Sequence, residues 1–518
     1  MVEKTVFNGF PKEGSCLLRG SDKISSEVNL RVPVPPKCKF STSFGKTDFI
    51  ESSIKWQNGC RFPGAYSDQT LNAKVVHVGE ASKSELIRKP KRYLDILLPE
   101  NDPISLDTLE ALDAGDSFYF LFRNPQTEVN IILDRLDIDS DSANKELWFH
   151  PSNIASDLPN SPTSLSEALP FIPNPCSANY LLSFCLDIRR SPSRPLLRAL
   201  AECTVDPKEQ RRLLELCSVQ GGSEFTEFIR TAGISLADLL LAFPNCRPPL
   251  TRLAELVPRL LPRAYTVCNY KSQWPNRLKF VYSLLETHPA ENGLHFSRFG
   301  ICSGWLNQLQ IGDTVNVVLK EPSKFRLPPF SALLHKVDDI VELPLIMVGP
   351  GTGVAPFIAF LEKIKAELKS KGVKGHRVKR ILLYGSSNLE KEFLFRDEIN
   401  SFVNDGIVTD LILCESRPAA GEQNNASFKP KYVYDGLKSI GREMAEWMIS
   451  DCKSAQFEPG TLKGALLFAC GDVKAMSKGL WACLADILKE HQGYSPAEAM
   501  DVLKCLRQEE RLIEDVWS

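Results

Sequence analysis

Leu345-Ile346-Met347-Val348-Gly349-Pro350-Gly351-Thr352-Gly353 runs from an apolar, strand-like segment into a glycine-rich turn, and a helical pattern follows from Ala355 to Leu368. Glycines in such a turn let the backbone come close to a phosphate, and the next helix offers unpaired N–H groups and its positive dipole end. The spacing is neither G-x-G-x-x-G nor a Walker A loop, because no Lys-Ser/Thr pair follows. A tight strand–helix turn of purely structural purpose would read the same way, so the setting has to decide. Downstream, apolar strands at Ile381–Tyr384, Leu411–Cys414 and Ala465–Ala469 alternate with helices near Lys391–Val403, Gly436–Ile449 and Val473–Lys489. Such alternation predicts a doubly wound parallel sheet covered on both faces, over residues 340–518. Ser495-Pro496-Ala497-Glu498 then caps a further helix.

Ligands of open parallel sheets bind beyond the carboxyl ends of the strands. Glu415-Ser416-Arg417 follows one such strand, and a hydroxyl beside a guanidinium suits a phosphate monoester. Lys431-Tyr432 could add a cation and a ring, although such residues also describe an ordinary solvated face. Cys470-Gly471-Asp472 ends another strand, which would aim its thiol at the mouth of the sheet. A structural buried cysteine is the alternative.

Upstream the rhythm is different. Ala73–Val78 and Tyr93–Leu98 alternate as strands, Ala114-Gly115-Asp116 is a turn, and Ser117–Phe122 is a further strand. Strand character resumes at Leu278–Leu284 and Thr314–Val318. Between these lie helices. Asp206-Pro207-Lys208-Glu209 starts one that continues from Arg211 to Val219, and further patterns cover Glu224–Leu241 and Leu250–Leu261. The expected division is therefore a β-barrel over 56–122 and 256–335, interrupted by a helical subdomain over 123–255. Residues 1–55 lack sustained periodicity, and Val32-Pro33-Val34-Pro35-Pro36 reads as an extended element of a hinge or linker.

Composition adds exclusions. Lys+Arg 62 against Asp+Glu 64 gives a net charge of −2, so no nucleic acid is expected as partner. The 15 cysteines include no C-x-x-C pair, so no metal site is expected, and the absence of a leader at Met1–Phe10 predicts reduced thiols and a cytoplasmic protein. The uncharged run Pro344 to Leu361 holds three prolines and three glycines, which argues against a membrane span.

Taken in order, Arg263-Ala264-Tyr265-Thr266, Gly300-Ile301-Cys302-Ser303-Gly304-Trp305-Leu306, Phe325-Arg326-Leu327-Pro328, the G-P-G-T-G turn, Ser416-Arg417, Lys431-Tyr432-Val433, Cys470-Gly471-Asp472 and Asp515-Val516-Trp517-Ser518 resemble the diflavin reductase family. The resemblance runs from about residue 60 to the C-terminus. It implies a ferredoxin-NADP-reductase-like architecture, α/β plus β: an antiparallel barrel for FAD with a helical insert, then a parallel-sheet domain for NADPH. By position, Arg263, Ala264, Tyr265 and Thr266 would hold FAD, with Gly300, Ile301, Cys302 and Ser303 at its pyrophosphate. Val281, Tyr282 and Ser283 would lie along the flavin, and Lys74 would supply a further cation. Trp517 would stack on the isoalloxazine. Gly351, Thr352 and Gly353 would face the dinucleotide, while Ser416, Arg417, Lys431, Tyr432 and Val433 would read the 2′-phosphate and adenine. Thr266, Cys470, Asp515 and Trp517 would surround the hydride-transfer centre. The phrases Leu240-Leu241-Ala242-Phe243-Pro244 and Asp515-Val516-Trp517-Ser518 point to the branch whose electrons reactivate cobalamin-dependent methionine synthase, which makes that protein the implied partner.

The departures are specific. A flavodoxin-like FMN domain needs about 150 residues of β–α alternation, and nothing of that kind precedes the barrel, so FMN is not expected in this chain. A separate flavodoxin-like FMN protein is then a second implied partner. Thr266 and Ser303 keep hydroxyls in altered form, and Cys268-Asn269-Tyr270 replaces smaller residues. Two other readings stand beside the lead: a two-component reductase for another flavodoxin-like or haem acceptor, and a non-catalytic scaffold that binds methionine synthase.

Overall fold

A computed structural model of the chain describes residues 17–517, apart from 22, 26, 83–88, 153–163, 271–275, 288–297, 328–339, 374–377, 419–429 and 451–459. Pro328 and Ser518 of the motifs above, and the stretch Met1–Phe10, lie outside the described residues. The chain divides into two compact units, Met1–Pro63 with Leu121–Pro262 and Leu285–Gln308, and Gly64–Phe120 with Arg263–Leu284 and Leu309–Ser518.

The second unit contains two sheets. Strands β1 (Leu71–Glu80), β2 (Lys91–Leu97), β3 (Ser117–Leu121), β4 (Arg263–Thr266), β5 (Arg277–Ser283) and β6 (Thr314–Leu319) form one of order β4-β3-β6-β1-β2-β5. The pairings β4–β3, β6–β1, β1–β2 and β2–β5 are antiparallel. The two edge strands meet through the Val267–Phe280 bridge and the Cys268 amide, which donates to the Lys279 carbonyl at 2.8 Å, so the sheet closes on itself. Closure removes the unpaired edges that an open antiparallel sheet would leave. The interior is aromatic, with Phe118 and Phe120 both edge-on to Phe280.

The other sheet is parallel, with β7 (Leu345–Pro350), β8 (Arg380–Ser386), β9 (Asp410–Glu415), β10 (Leu466–Asp472) and β11 (Leu512–Trp517) in the order β9-β8-β7-β10-β11. Every residue of Leu345–Gly349 is buried, as expected of a strand covered on both faces. One face shares a core with the barrel: Ala114, Cys268, Val281 and Phe325 pack with Phe357, Phe360, Phe468 and Cys470. The Ala114-Gly115-Asp116 turn is where the two sheets lock. Gly115 has φ +98°, and a Cβ there would lie 2.1 Å from the Phe325 carbonyl. Arg326 closes the lock by donating to buried Asp116 at 2.6 Å.

The first unit is mainly helical around one large core. Asp206 caps Pro207–Cys217 as expected, accepting from the amides of Lys208 and Glu209 at 2.9 Å. Two expected helices are shorter or broken. The one beginning at Leu250 ends at Leu256 rather than Leu261, because Pro258 drives Val257 out of the helical region (ψ 129°). The pattern over Glu224–Leu241 divides into Gly222–Glu224, a π-wound turn Phe225–Thr231 and Leu236–Ala242, with Gly233 at φ +66° in the break. In the same way Phe395, at φ +53°, splits the expected Lys391–Val403 helix into Leu389–Glu392 and Arg396–Asn404. The stretch read as a hinge carries a strand, Phe40–Asp48, paired antiparallel with Lys145–Pro151. Only Phe40 of that strand is buried, so the backbone ladder holds it without any alternation to betray it. Among the described residues no helix is long and apolar enough to cross a membrane.

Candidate active site

The G-P-G-T-G turn leaves β7 and becomes a single 3-10 turn, Gly351–Val354, before the helix Ala355–Lys371. Its glycines differ in purpose. Gly351 needs its φ of +57° for the turn, whereas a Cβ on Gly353 would sit 2.1 Å from the Cys470 carbonyl. Gly353 therefore lets the turn press against the end of β10, and Gly349, whose Cβ would meet the Gly353 carbonyl at 2.8 Å, lets it fold back on itself. These glycines hold the turn tight against the end of β10 at the start of the helix Ala355–Lys371, and the first amides of a helix suit a dinucleotide phosphate.

Beside it, β10 and β11 set Cys470 opposite Asp515 and Asp472 opposite Trp517. Cys470 is fully enclosed, contrary to a thiol open at the mouth of the sheet. Burial above all, then the Asp515 charge and Cys268, hold the thiol well above its ordinary pKa, so it is a neutral thiol. Burial also raises Asp515, with Lys320 pulling the other way. Trp517 is 40% exposed. From the barrel, Cys268 and Val281 enter the same core as Cys470. Two residues before Cys268, Thr266 shares a hydrogen bond of 3.1 Å with the Ser117 hydroxyl.

The other predicted barrel residues lie on the edge strands and beyond. Tyr265 is edge-on to Phe120 at 5.6 Å and to Tyr282 at 6.1 Å, while Ala264 is exposed and Arg263 half-buried beside it. Val281 and Tyr282 are buried and Ser283 half-buried. Lys74 lies on β1 and donates to the Thr314 hydroxyl at 2.6 Å.

At the carboxyl ends of β8 and β9, two loops are drawn together. The amides of Ser416 and Arg417 donate to the carbonyls of Ser386 and Ser387, at 3.1 and 2.7 Å. The Glu415 amide donates to the Pro430 carbonyl at 2.9 Å, which brings Lys431 and Tyr432 to the same end of the sheet. The Lys431 ammonium lies 5.4 Å from the centroid of Tyr432, a ring 51% exposed. Val433 is buried against Gly385 and supports this corner from within. Gly300, Ile301, Cys302 and Ser303 belong to the first unit. There Gly300 precedes the helix Ile301–Leu306, and the Ser303 hydroxyl accepts from the Leu285 amide at 3.2 Å. A Cβ on Gly300 would approach that hydroxyl to 2.7 Å.

Sequence reasoning did not single out Lys91, Ser387 or Glu392, which form a buried polar cluster at the same end of the parallel sheet. Little in the sequence marked them: Lys91, Tyr93 and Asp95 form the polar row of β2, opposite the buried Leu94 and Ile96, as an ordinary solvated face would.

A barrel of this order, a parallel sheet with a glycine-rich first turn and the polar groups at its carboxyl end define an FAD- and NADPH-dependent oxidoreductase of the ferredoxin-NADP-reductase type. Residues 89–305 match the FAD binding domain model, and residues 347–480 match the oxidoreductase NAD-binding domain model. The chain is 37% identical to the methionine synthase reductase of Caenorhabditis elegans over 97% of its own length and 68% of that protein. It is 32% identical to the human one over 82% of its length and 60% of that protein. The NADPH–cytochrome P450 reductase of Dictyostelium discoideum is 29% identical over 64% of the chain and 44% of that protein. This chain belongs to the methionine synthase reductase family.

Proposed function

We propose that this chain takes a hydride from NADPH onto FAD and supplies the electrons for reductive reactivation of cobalamin-dependent methionine synthase. FAD, when bound, supplies the exchange between two-electron and one-electron chemistry. One observation carries the reading. The barrel end bearing Cys268 and Val281 packs in one core with Cys470, directly beside the glycine turn and Asp515. In this reading the FAD part spans 56–122 and 256–335, the helical part 123–255 and the NADPH part 340–518, with residues 1–55 as the approach to them.

The residues would act chiefly by placement. Arg263, Ala264, Tyr265 and Lys74 would hold the flavin nucleotide, with Gly300, Ile301, Cys302 and Ser303 at its pyrophosphate and Val281, Tyr282 and Ser283 along its ring. Thr266 would keep a hydroxyl toward the reacting face. Gly351, Thr352 and Gly353 would cradle the NADPH pyrophosphate. Ser416 and Arg417 would pair with the 2′-phosphate, and Lys431, Tyr432 and Val433 would frame the adenine. Trp517 would cover the flavin and yield to nicotinamide. Asp515, ionised, would favour the positive charge that grows on the ring losing hydride. Cys470, held neutral, would pack against the ring without adding charge.

The test is the 350–550 nm spectrum of the purified chain with FAD, followed anaerobically. Bleaching with NADPH and scarcely with NADH is expected, and reduced methionine synthase activity should then recover when a separate FMN-binding domain is present. A chain that takes up no FAD would leave only a scaffold that binds methionine synthase. The likeness to NADPH–cytochrome P450 reductases supports a second reading, delivery to a haem protein, which the same assay decides by exchanging the acceptor.

A further inference from the structure

Lys91 opens β2 on the barrel, yet its ammonium is buried 2.8 Å from Glu392 Oε2, the two side chains being 10% and 9% exposed. Glu392 ends the short helix Leu389–Glu392 that follows β8. Its other oxygen accepts from the Ser387 hydroxyl at 2.6 Å, and the Ser387 carbonyl accepts from the Arg417 amide at 2.7 Å. Ser387 thus links the buried Glu392 carboxylate, on the segment after β8, to the turn that carries Ser416 and Arg417, whose own buried carboxylate, Glu415, is engaged by the Leu389 amide at 2.8 Å. Tyr93, two residues along β2 from Lys91, seats the strand on the same segment: its hydroxyl accepts from the Phe395 amide at 3.4 Å and the two rings meet edge-on at 5.3 Å. Lys91 also donates to the Lys89 carbonyl at 3.4 Å, and its Cε would lie 3.9 Å from a Cβ on Gly351.

We infer that Lys91 is a specificity-determining residue for NADPH that acts through Glu392, cancelling the carboxylate that Ser387 links to the Ser416–Arg417 turn so that a phosphorylated cofactor can settle there. The inference rests on the NADPH reading of that turn. Without the lysine, Glu392 would be an uncompensated negative charge under little solvent screening, opposed to the extra phosphate of NADPH and far less to NADH. Removing both charges would remove the repulsion. A glutamine at 392 would still bond Ser387, so the turn would keep its place.

The experiment is steady-state reduction of ferricyanide by the full FAD-loaded chain, with NADPH and NADH as donors and a melting curve for each variant. Lys91→Met should raise the KM for NADPH about tenfold and change that for NADH by less than about twofold. Lys91→Met/Glu392→Gln should return the NADPH value to within about threefold of wild type, and Lys91→Arg should stay near it. A double variant as impaired as Lys91→Met alone would overturn the inference, because the lysine would then be touching the cofactor itself. Equal losses with both donors, or no change with either, would overturn it too, since the pair would then be only structural. Should Lys91→Met fail to fold, Glu392→Gln alone decides: an unchanged or lower NADPH KM is expected, and a raised one overturns the inference. A wild-type chain with no preference for NADPH would sink the NADPH reading of the turn; a preference indifferent to these variants would sink this inference alone.

Discussion

Gly353 has no room for a side chain, because the Cβ position is 2.1 Å from the Cys470 carbonyl and both atoms are main-chain bound. Gly353→Ala should therefore push the turn off β10, at an overpacking cost of about 1–3 kcal/mol, and a lowered melting temperature together with slower bleaching by NADPH would register it. Arg417→Ala should affect binding instead. A charge-assisted hydrogen bond contributes about 1.5–3 kcal/mol, so the NADPH Kd should rise roughly ten- to a hundredfold with NADH nearly unaffected, as titration calorimetry would show. Asp515 has opposed effects on stability and rate. Its folded pKa is raised by burial, so the contribution of the neutral acid to stability is present at low pH and is lost as pH rises through that raised value. Asp515→Asn should thus be at least as stable as wild type in alkaline buffer. The same variant should lose on the order of 2–4 kcal/mol of transition-state stabilisation, and its bleaching rate should lack the acid limb that wild type shows as Asp515 protonates. Stopped-flow traces across pH would test both halves.

The turn of Asp113, Ala114, Gly115 and Asp116 clamps two segments. Arg326 reaches Asp116 and Lys363 reaches Asp113 at 2.6 Å, so one short turn ties the segment after β6 and the helix Ala355–Lys371 to the barrel. Burial raises the Asp116 pKa more than Arg326 lowers it, so the carboxylate depends on that guanidinium. Arg326→Met would leave a buried, unpaired carboxylate, at a cost of about 3–5 kcal/mol. Chemical denaturation should show it, and Arg326→Met/Asp116→Asn should recover much of the loss. The motif Phe325-Arg326-Leu327 belongs to the family resemblance, but its physical duty lies in this lock: Phe325 stacks with Phe360 at 5.9 Å while the next residue holds the turn. Elements broken by local backbone were the ones the apolar pattern misjudged. Periodicity ran straight through Phe395 and Gly233, since a left-handed residue changes the chain's direction without changing which positions are apolar.

Across the chain, the relatives place limits on what electron delivery can be expected. The chain spans 68% of the nematode relative and 60% of the human one. If the onward path runs through a flavodoxin-type domain, then cytochrome c reduction by the FAD-loaded chain should be slow alone and rise at least about tenfold when an FMN domain of a relative is added. A fast rate without that addition would point to direct delivery from FAD.

The parallel sheet was legible in the residues because buried central strands are continuous apolar runs, and Leu345–Val348 can hardly be anything else. The glycine turn, the Asp206 and Ser495 caps and the barrel strands were legible for similar reasons: each is a local demand written in local chemistry. Tertiary structure alone decided which polar groups face one another. Lys91 and Glu392 stand about three hundred positions apart, and nothing near either one names the other. Strand Phe40–Asp48 depended on a partner a hundred residues away, and its exposed side chains carried no pattern. Cys470 could be assigned to a strand end from its neighbours, but its enclosure beneath Gly353 and beside Asp515 came from strand order and packing. Long-range pairing is set by the sum of many contacts rather than by any single residue, which is why the framework was readable and the wiring of the site was not.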